Sequence, residues 1–355
     1  MRALAAPAPV AVPAGLDHEE LAVVRGERSG VTMAVAVHST RLGPALGGAR
    51  LWHYERDEDG VADALRLAEA MTYKAAAAGL DLGGGKGVIC APAGEPPAGK
   101  LRRAILHDFG DLVESLEGRY ITAEDVGTAT EDMVEIATRT SHVTGLPVER
   151  GGAGDPSPFT AAGVQAAMRA AALRAFGVAD LAGRTVAVVG LGHVGERLAR
   201  GLAEAGAKLT LADIDLAKSS IAVELDARWL DPEAALVSPC DLVAPCAVGG
   251  AITAGNLEEL RCRVICGAAN NQLADEALAE RLAERGILYA PDFIVNAGGL
   301  INVYRELHGY DEARATALAL GIERVMGEVF AHAERAGTTP LTAARELARR
   351  RLDAA

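Results

Sequence analysis

The sequence predicts a two-domain α/β protein, and three observations carry that expectation. The chain has 355 residues, 50% of them hydrophobic and only 4% aromatic, which is enough for two domains with aliphatic cores. Around residues 145–158 the stretch "GLPVERGGAGDPSPF" is rich in glycine and proline, the texture of a hinge. Beyond it, "TVAVVGLGHVGERLARGLAEAGAKLTLADID" alternates strand, glycine turn, helix and strand.

Taken in order, residues 1–16 read as an Ala/Pro tail, since three prolines break the apolar run that a signal peptide needs. "ELAVVRGERSGVTMAVAVHS" predicts two strands around a turn at "GERSG". "VADALRLAEAMTYKAAAAG" has the helical apolar period, with Gly79 as its stop. The glycines Gly83–Gly85 read as a loop entering a buried strand, "GVICAPAG". A helix follows in "KLRRAILHDFGDLVESLEG", then a strand in "RYITAED" and a helix in "TEDMVEIATRT". Past the hinge comes a long helix, "TAAGVQAAMRAAALRAFG", and later short strands at "DLVAPCA", "RVICGAAN" and "ILYAPDF". The expected boundaries are a first domain over 17–148, a second over 149–325, and helices over 326–355 that pack back on the first domain.

A net charge of −13 leaves no basic footprint for nucleic acid. No run of about twenty apolar residues predicts a membrane span. The five cysteines, Cys90, Cys240, Cys246, Cys262 and Cys266, contain no C-x-x-C pair, so reduced thiols in a cytoplasmic protein are expected and no metal site is. "MTYKAAAAGLDLGGGKGVI" is not a phosphate-binding P-loop: Leu80 stands where its first glycine belongs, and Gly87 where its hydroxyl belongs.

Gly190, Gly192 and Gly195 form G-x-G-x-x-G between an apolar strand and an amphipathic helix. A second strand ends at Asp213, about twenty residues on, which completes a Rossmann dinucleotide fingerprint. Gly190 permits the turn, Gly192 lets backbone N–H groups approach a pyrophosphate, and Gly195 lets helix and strand touch. His193 and Val194 lie in the same loop, and His193 reads as a variable loop residue rather than a catalyst. Asp213 would hydrogen-bond an adenosine ribose diol and repel a 2′-phosphate, which favours NAD over NADP.

A substrate that gives hydride to a nicotinamide needs its carboxylate held by a fixed cation and a base poised near neutrality. Lys74 and Lys86 offer both. A lysine in apolar surroundings beside another cation has its pKa pushed down. The three glycines would let a small substrate lie close to Lys86. Asp125, after a strand and before a Val-Gly turn, is the candidate acid, with a helix cap or turn as its plain structural alternative.

The blocks "LGPALGGARLW", "MTYKAAAAGLDLGGGKGVI", "GRYITAEDVGT", "GGAGDPSPFTAAGV", "VVGLGHVG", "APCAVGGAI", "GAANNQLAD" and "GILYAPDFIVNAGGLINV" resemble the glutamate/leucine/phenylalanine/valine dehydrogenase superfamily, nearest its leucine and valine members. The resemblance implies an N-terminal α/β substrate domain, a Rossmann NAD-binding domain and a cleft between them. It implies that Lys74 binds the substrate carboxylate, Lys86 is the base acting through a water, and Asp125 shuttles protons to the amine. Asn271 would hold substrate and nicotinamide, Thr160, Ala247 and Asn270 would lie along the cofactor, and Gly47 and Gly48 would line the approach to the substrate's main chain. Leu46, Ala123, Leu300 and Val303 would form an apolar side-chain pocket, too apolar for glutamate. The implied reaction is reversible oxidative deamination of a branched-chain amino acid by a homo-oligomer. A phenylalanine-specific enzyme and a non-catalytic NAD-binding regulatory protein remain as alternatives. The sequence leaves the preferred amino acid, the oligomeric state and the favoured direction open.

Overall fold

The computed structural model describes residues 15–355, so nearly all of the expected tail over 1–16 lies outside the described residues. The chain divides into two units. One runs up to Gly154 and includes Val303–Tyr310 and Arg351–Ala355; the other holds Asp155–Asn302 and Asp311–Arg350. No helix among the described residues is long and apolar enough to cross a membrane.

The first unit contains β1 (Glu20–Arg25), β2 (Thr32–Ser39), β3 (Ala45–Trp52), α1 (Asp57–Ala77), β4 (Gly83–Cys90), α2 (Gly99–Ser115), β5 (Tyr120–Glu124) and α3 (Thr130–Ile136). Its sheet has the order β1-β2-β4-β3-β5. The β1–β2 and β2–β4 pairs are antiparallel, whereas β3 runs parallel to both β4 and β5. Helix α1 covers one face over β2 and β4, with Ala64, Leu65 and Ala68 against Ala34, Ala36 and Val88. Phe109, Leu112 and Val113 of α2 join Met33, Val35, Ile89 and Tyr120 in a second cluster.

Strand β4 differs from expectation. The glycine run is not a loop before the strand but the first part of the strand itself, and every residue from Gly83 to Cys90 is buried. The reason is crowding. A Cβ on Gly84 would lie 2.1 Å from the backbone nitrogen of Thr72 on α1, and one on Gly47 of β3 would lie 1.8 Å from the carbonyl oxygen of Gly85. Glycine inside a strand marks this kind of close backbone approach. Strand β3, "ALGGARLW", was not foreseen because its own glycine pair weakens the alternating pattern of a strand.

The second unit continues with α4 (Ser157–Phe176), β6 (Thr185–Val189), α5 (His193–Glu204), β7 (Lys208–Ala212), α6 (Ser219–Glu224), β8 (Arg228–Trp229), α7 (Pro232–Leu236), β9 (Leu242–Pro245), β10 (Val264–Ile265), α8 (Leu278–Glu284), β11 (Leu288–Tyr289) and α9 (Asp292–Val295). Helix α10 (Gly298–Glu306) follows, then α11 (Glu312–Leu320), α12 (Ile322–Ala336) and α13 (Pro340–Asp353). All strand pairs of this sheet are parallel, in the order β11-β10-β9-β6-β7-β8. Counted from β6, that is the 3-2-1-4-5-6 order of a doubly wound dinucleotide fold, with its switch point between β6 and β9.

The expected assignment of 326–355 to the first domain is corrected. Helix α12 packs on α4, burying Ile322, Met326, Val329, Phe330 and Ala333 along one stripe. Alanine-rich α4 buries most of its own length and offers the matching apolar surface. Only Arg351–Ala355 belong with the first unit, where the Arg351 guanidinium donates to Leu80 O and Asp81 Oδ1, both at 2.7 Å. The boundary expected at 148/149 moves to Gly154/Asp155. The Glu306 carboxylate ties the hinge to the first unit by accepting from the N–H groups of Gly145 and Ala153 at 3.0 and 2.9 Å.

Gly47→Ala is expected to force β3 and β4 apart and destabilise the protein by about 1–3 kcal/mol, the usual cost of overpacking. Gly327→Ala, on an exposed position of α12 with nothing within 4 Å of its Cβ, should stabilise it by about 0.5–1 kcal/mol. Denaturant unfolding of the two variants checks both signs.

Candidate active site

Strand β4 carries Lys86 into the interior, where the residue is 5% exposed. β5 ends at Glu124, and Asp125 follows in a turn in which its N–H donates to Thr128 Oγ1 at 2.9 Å. Lys86 Nζ donates to Asp125 Oδ2 at 2.7 Å. Gly48 makes room for this turn, because a Cβ there would lie 2.6 Å from the Asp125 Cβ. Gly47 lies beside Lys86, whose Cα would be 3.3 Å from a Cβ at that position.

A residue the sequence reading did not single out completes the site. Arg50, on β3, donates from Nε to Asp125 Oδ2 at 3.0 Å and from Nη1 to Asp63 Oδ2 at 2.8 Å. Asp63, on α1, also accepts from Tyr54 Oη at 2.8 Å and from Arg66 Nη2 at 2.6 Å. The signal was present as an arginine two residues after the Gly47–Gly48 pair on a strand. Recognising it required knowing that β3 lies between β4 and β5.

These contacts shift the pKa values of both groups. Burial pushes the Lys86 ammonium below its ordinary value, Asp125 opposes the shift, and the positive charge of Arg50 reinforces it. Burial raises the Asp125 carboxyl, but Lys86 and then Arg50 outweigh it and hold the group below its usual range. The cation shown to press on Lys86 is therefore Arg50. Lys74 lies in the last turn of α1, two residues beyond Thr72, whose backbone abuts Gly84 of β4. Leu46 and Ala123 are buried on β3 and β5, and Val303 is half-buried in the same unit.

In the second unit the glycine turn has the form a dinucleotide needs. Gly190 takes φ of 101° at the end of β6, and a Cβ there would lie 2.6 Å from that of Ala247. The two loops leaving β6 and β9 thus meet at the switch point. A Cβ on Gly195 would strike the Gly190 carbonyl at 1.9 Å, whereas one on Gly192 would meet nothing within 4 Å. The turn is closed below and open above, at the N-terminus of α5, where His193 and Val194 form the first turn. The Asp213 carboxylate accepts from Leu191 N–H at 2.6 Å and Asp215 N–H at 2.9 Å, with Lys218 Nζ 3.5 Å away. Burial raises its pKa, but these backbone donors and Lys218 prevail and keep it below the ordinary range.

Asn271 holds a left-handed φ of 50°, a conformation asparagine tolerates better than most residues. Its carbonyl accepts from Gly250 N–H at 2.7 Å, and the neighbouring Asn270 Oδ1 accepts from Asn296 Nδ2 at 2.7 Å. Thr160, on the first turn of α4, donates to Pro156 O at 3.1 Å. A Cβ on Gly299 would lie 3.0 Å from Thr160 Oγ1, and the next residue, Leu300, is buried. Ile214 and Val248, exposed apolar residues beside Asp213 and Ala247, were not foreseen. All five cysteines are free, and burial pushes the Cys90 thiol up to about 11 and Cys246 to about 12, so neither is a ready nucleophile.

The glycine turn and the strand order are those of a dinucleotide-binding fold, and a buried lysine–carboxylate pair stands in the other unit. Two family models narrow the class. Residues 10–142 match the Glu/Leu/Phe/Val dehydrogenase dimerisation domain, and residues 211–355 match the Glutamate/Leucine/Phenylalanine/Valine dehydrogenase model. The chain is 46% identical to the leucine dehydrogenase of Bacillus subtilis, covering 95% of this chain and 92% of that protein. It is 44% identical to the valine dehydrogenase of Streptomyces coelicolor over 94% and 92%. The crystal structure of L-tryptophan dehydrogenase from Nostoc punctiforme superposes with a TM-score of 0.83 at 37% identity, covering 95% of this chain and 96% of that one. The chain therefore belongs to the glutamate/leucine/phenylalanine/valine dehydrogenase family, and it is an amino acid dehydrogenase.

Arg50→Gln removes a cation that lowers the pKa of both Lys86 and Asp125. Both values should rise, and the acid limb of the kcat/KM–pH profile should move to higher pH. A lower Tm with an unmoved limb would assign Arg50 to stability alone.

Proposed function

We propose that this enzyme catalyses the NAD-dependent, reversible oxidative deamination of a branched-chain aliphatic L-amino acid to the 2-oxo acid and ammonia. The observation that carries this reading is the buried Lys86 ammonium bonded to Asp125, on a chain whose relatives act on leucine and valine by name.

In this reading Lys74 fixes the substrate carboxylate, with Gly47 and Gly48 leaving its main-chain groups room to approach. Nicotinamide, when bound, accepts the hydride from the substrate Cα. Lys86, its pKa lowered by burial, acts as the neutral amine and takes a proton from a water that adds to the resulting imine carbon. Asp125, ionised at rest, takes a proton from the substrate ammonium before the hydride leaves and returns it to the amine as ammonia departs, and the hydroxyl proton is released as the carbonyl of the 2-oxo acid forms. Asn271 contacts both reactants. Gly190, Gly192, His193, Val194 and Gly195 cradle the pyrophosphate at the α5 N-terminus, and Thr160, Ala247 and Asn270 line the rest of the cofactor. Asp213, ionised at neutral pH, favours the ribose diol of NAD, and its charge disfavours a 2′-phosphate although Lys218 lies near. Leu46, Ala123, Leu300 and Val303 receive the aliphatic side chain, since none of them could compensate a second carboxylate. The match of residues 10–142 to a dimerisation domain supports a homo-oligomer, and the proposed location is the cytoplasm.

Lys86→Ala is expected to lower kcat by about a hundredfold to ten-thousandfold while NAD binding, followed by calorimetry, stays near that of the parent. Comparing kcat/KM for valine, leucine and phenylalanine tests the substrate class. One methylene changes preference by only about 1–3 kcal/mol, so activity should be shared among the aliphatic substrates. A clear preference for phenylalanine would overturn that part of the proposal.

A further inference from the structure

At the start of the described fold, Asp17 and His18 precede β1, and His38 stands near the end of β2. One ligand atom from each of the three residues lies within 4.8 Å of the others. Both histidines are buried, at 8% and 7% exposure, whereas the Asp17 side chain is 90% exposed.

The hydrogen-bond partners assign a tautomer to each ring. His18 Nε2 lies 2.9 Å from Leu65 O, a carbonyl that can only accept, so Nε2 holds the hydrogen and Nδ1 presents a bare lone pair. His38 Nδ1 lies 2.9 Å from Thr72 Oγ1. The Thr72 hydroxyl spends its own proton on Ala68 O at 3.3 Å, so it accepts from His38 Nδ1–H, and Nε2 is the bare nitrogen. These two nitrogens, His18 Nδ1 and His38 Nε2, are buried and meet no hydrogen-bond donor, and the group facing His38 Nε2 is the Asp17 carboxylate at 3.4 Å. The rings meet edge to face with centroids 4.7 Å apart. Two buried acceptors converging with no donor is a costly arrangement if nothing lies among them.

We propose that Asp17, His18 and His38 form a binding site for a divalent transition metal, best suited to Zn²⁺, with water as the fourth ligand. Neutral imidazole whose other nitrogen donates to a protein oxygen is the usual metal-ligating state of histidine. Leu65 O and Thr72 Oγ1 on α1 supply those partners here. In a tetrahedral zinc site with bonds near 2.0–2.1 Å, ligand atoms lie about 3.4 Å apart. Asp17 Oδ1 and His38 Nε2 are already 3.4 Å apart. The further charged group acting on His38 is Glu69 of α1, whose negative charge also favours a cation. The cluster escaped the sequence reading, which expected no metal, because twenty residues and a strand pairing separate its histidines. A metal here would staple the chain entering β1 to the end of β2, against the helix that carries Lys74.

The test uses the full chain stripped with EDTA and titrated with ZnCl₂ by calorimetry, and with Co²⁺ by visible absorption. The expected result is one equivalent per chain, a Tm raised by Zn²⁺, and a Co²⁺ d–d band without a thiolate charge-transfer band. His18→Gln keeps an amide able to donate to Leu65 O but removes the ligand, and Asp17→Asn changes only an exposed side chain. Each should weaken Zn²⁺ binding by at least about tenfold, since even outer-shell changes cost about 10–100-fold. No binding at millimolar Zn²⁺, a thiolate band, or unchanged affinity in Asp17→Asn would overturn the proposal, and that last variant keeps the test valid if His18→Gln fails to fold.

Discussion

The first unit is organised around one buried ion pair, Lys86 with Asp125. Removing an ammonium and a carboxylate from water costs several kcal/mol for each ion, and their attraction offsets this only with good geometry and further hydrogen bonds. The structure supplies both through a chain of alternating charge. Lys86 meets Asp125, Asp125 meets Arg50, Arg50 meets Asp63, and Asp63 meets Arg66 at the surface. Asp125, Arg50 and Asp63 each touch an opposite charge on either side, and Lys86 ends the chain against Asp125, so no carboxylate or guanidinium in the interior is left to balance alone. Burial pushes the Lys86 ammonium below its ordinary value while Asp125 opposes the shift.

The glycines explain how such a pair can exist in the middle of a sheet. Side chains at Gly84, Gly85, Gly47 or Gly48 would run into Thr72, Tyr120, the Gly85 carbonyl or the Asp125 turn. Stripped of them, β4 lies close under α1 and beside β3, and the lysine is the one long side chain in the run from Gly83 to Gly87. Tyr120, fully buried, fills the other side and donates to Gly47 O at 2.6 Å. The loss of strand propensity at the six glycines of β3 and β4 is offset by packing from both faces.

The second unit applies the same economy of side chains to a different end. Its glycines bring the loop after β6 against the loop after β9 at the point where the strand order reverses, and Asp213 closes the turn through the Leu191 N–H. A carboxylate tied to two backbone N–H groups is rigid, and a rigid acceptor discriminates between ligands better than a mobile one. The relatives named for leucine, valine and tryptophan show how far one framework can be turned to different side chains.

By itself the sequence determined the elements whose signals are local. The 3.6-residue stripe of α1 and its stop at Gly79, the β1–β2 pair around "GERSG", the strand–turn–helix over 185–204 and the hinge near 145–158 all stand close to where their patterns put them, because caps, turns and periodicity act within a few residues. Lys86, Asp125 and Asp213 were likewise visible as polar residues at the edges of apolar runs. Only the tertiary structure decided the rest. It made a strand of the Gly83–Gly85 run and of "ALGGARLW", since what keeps glycine in a sheet is the neighbour pressing on it. It placed Arg50 between two carboxylates contributed from positions 13 and 75 residues away. It set α12 on α4 rather than on the first unit, and it brought His18 beside His38. Each of these depends on contacts between residues far apart in the chain, and no local pattern encodes which distant surface an apolar stripe or a charge will meet.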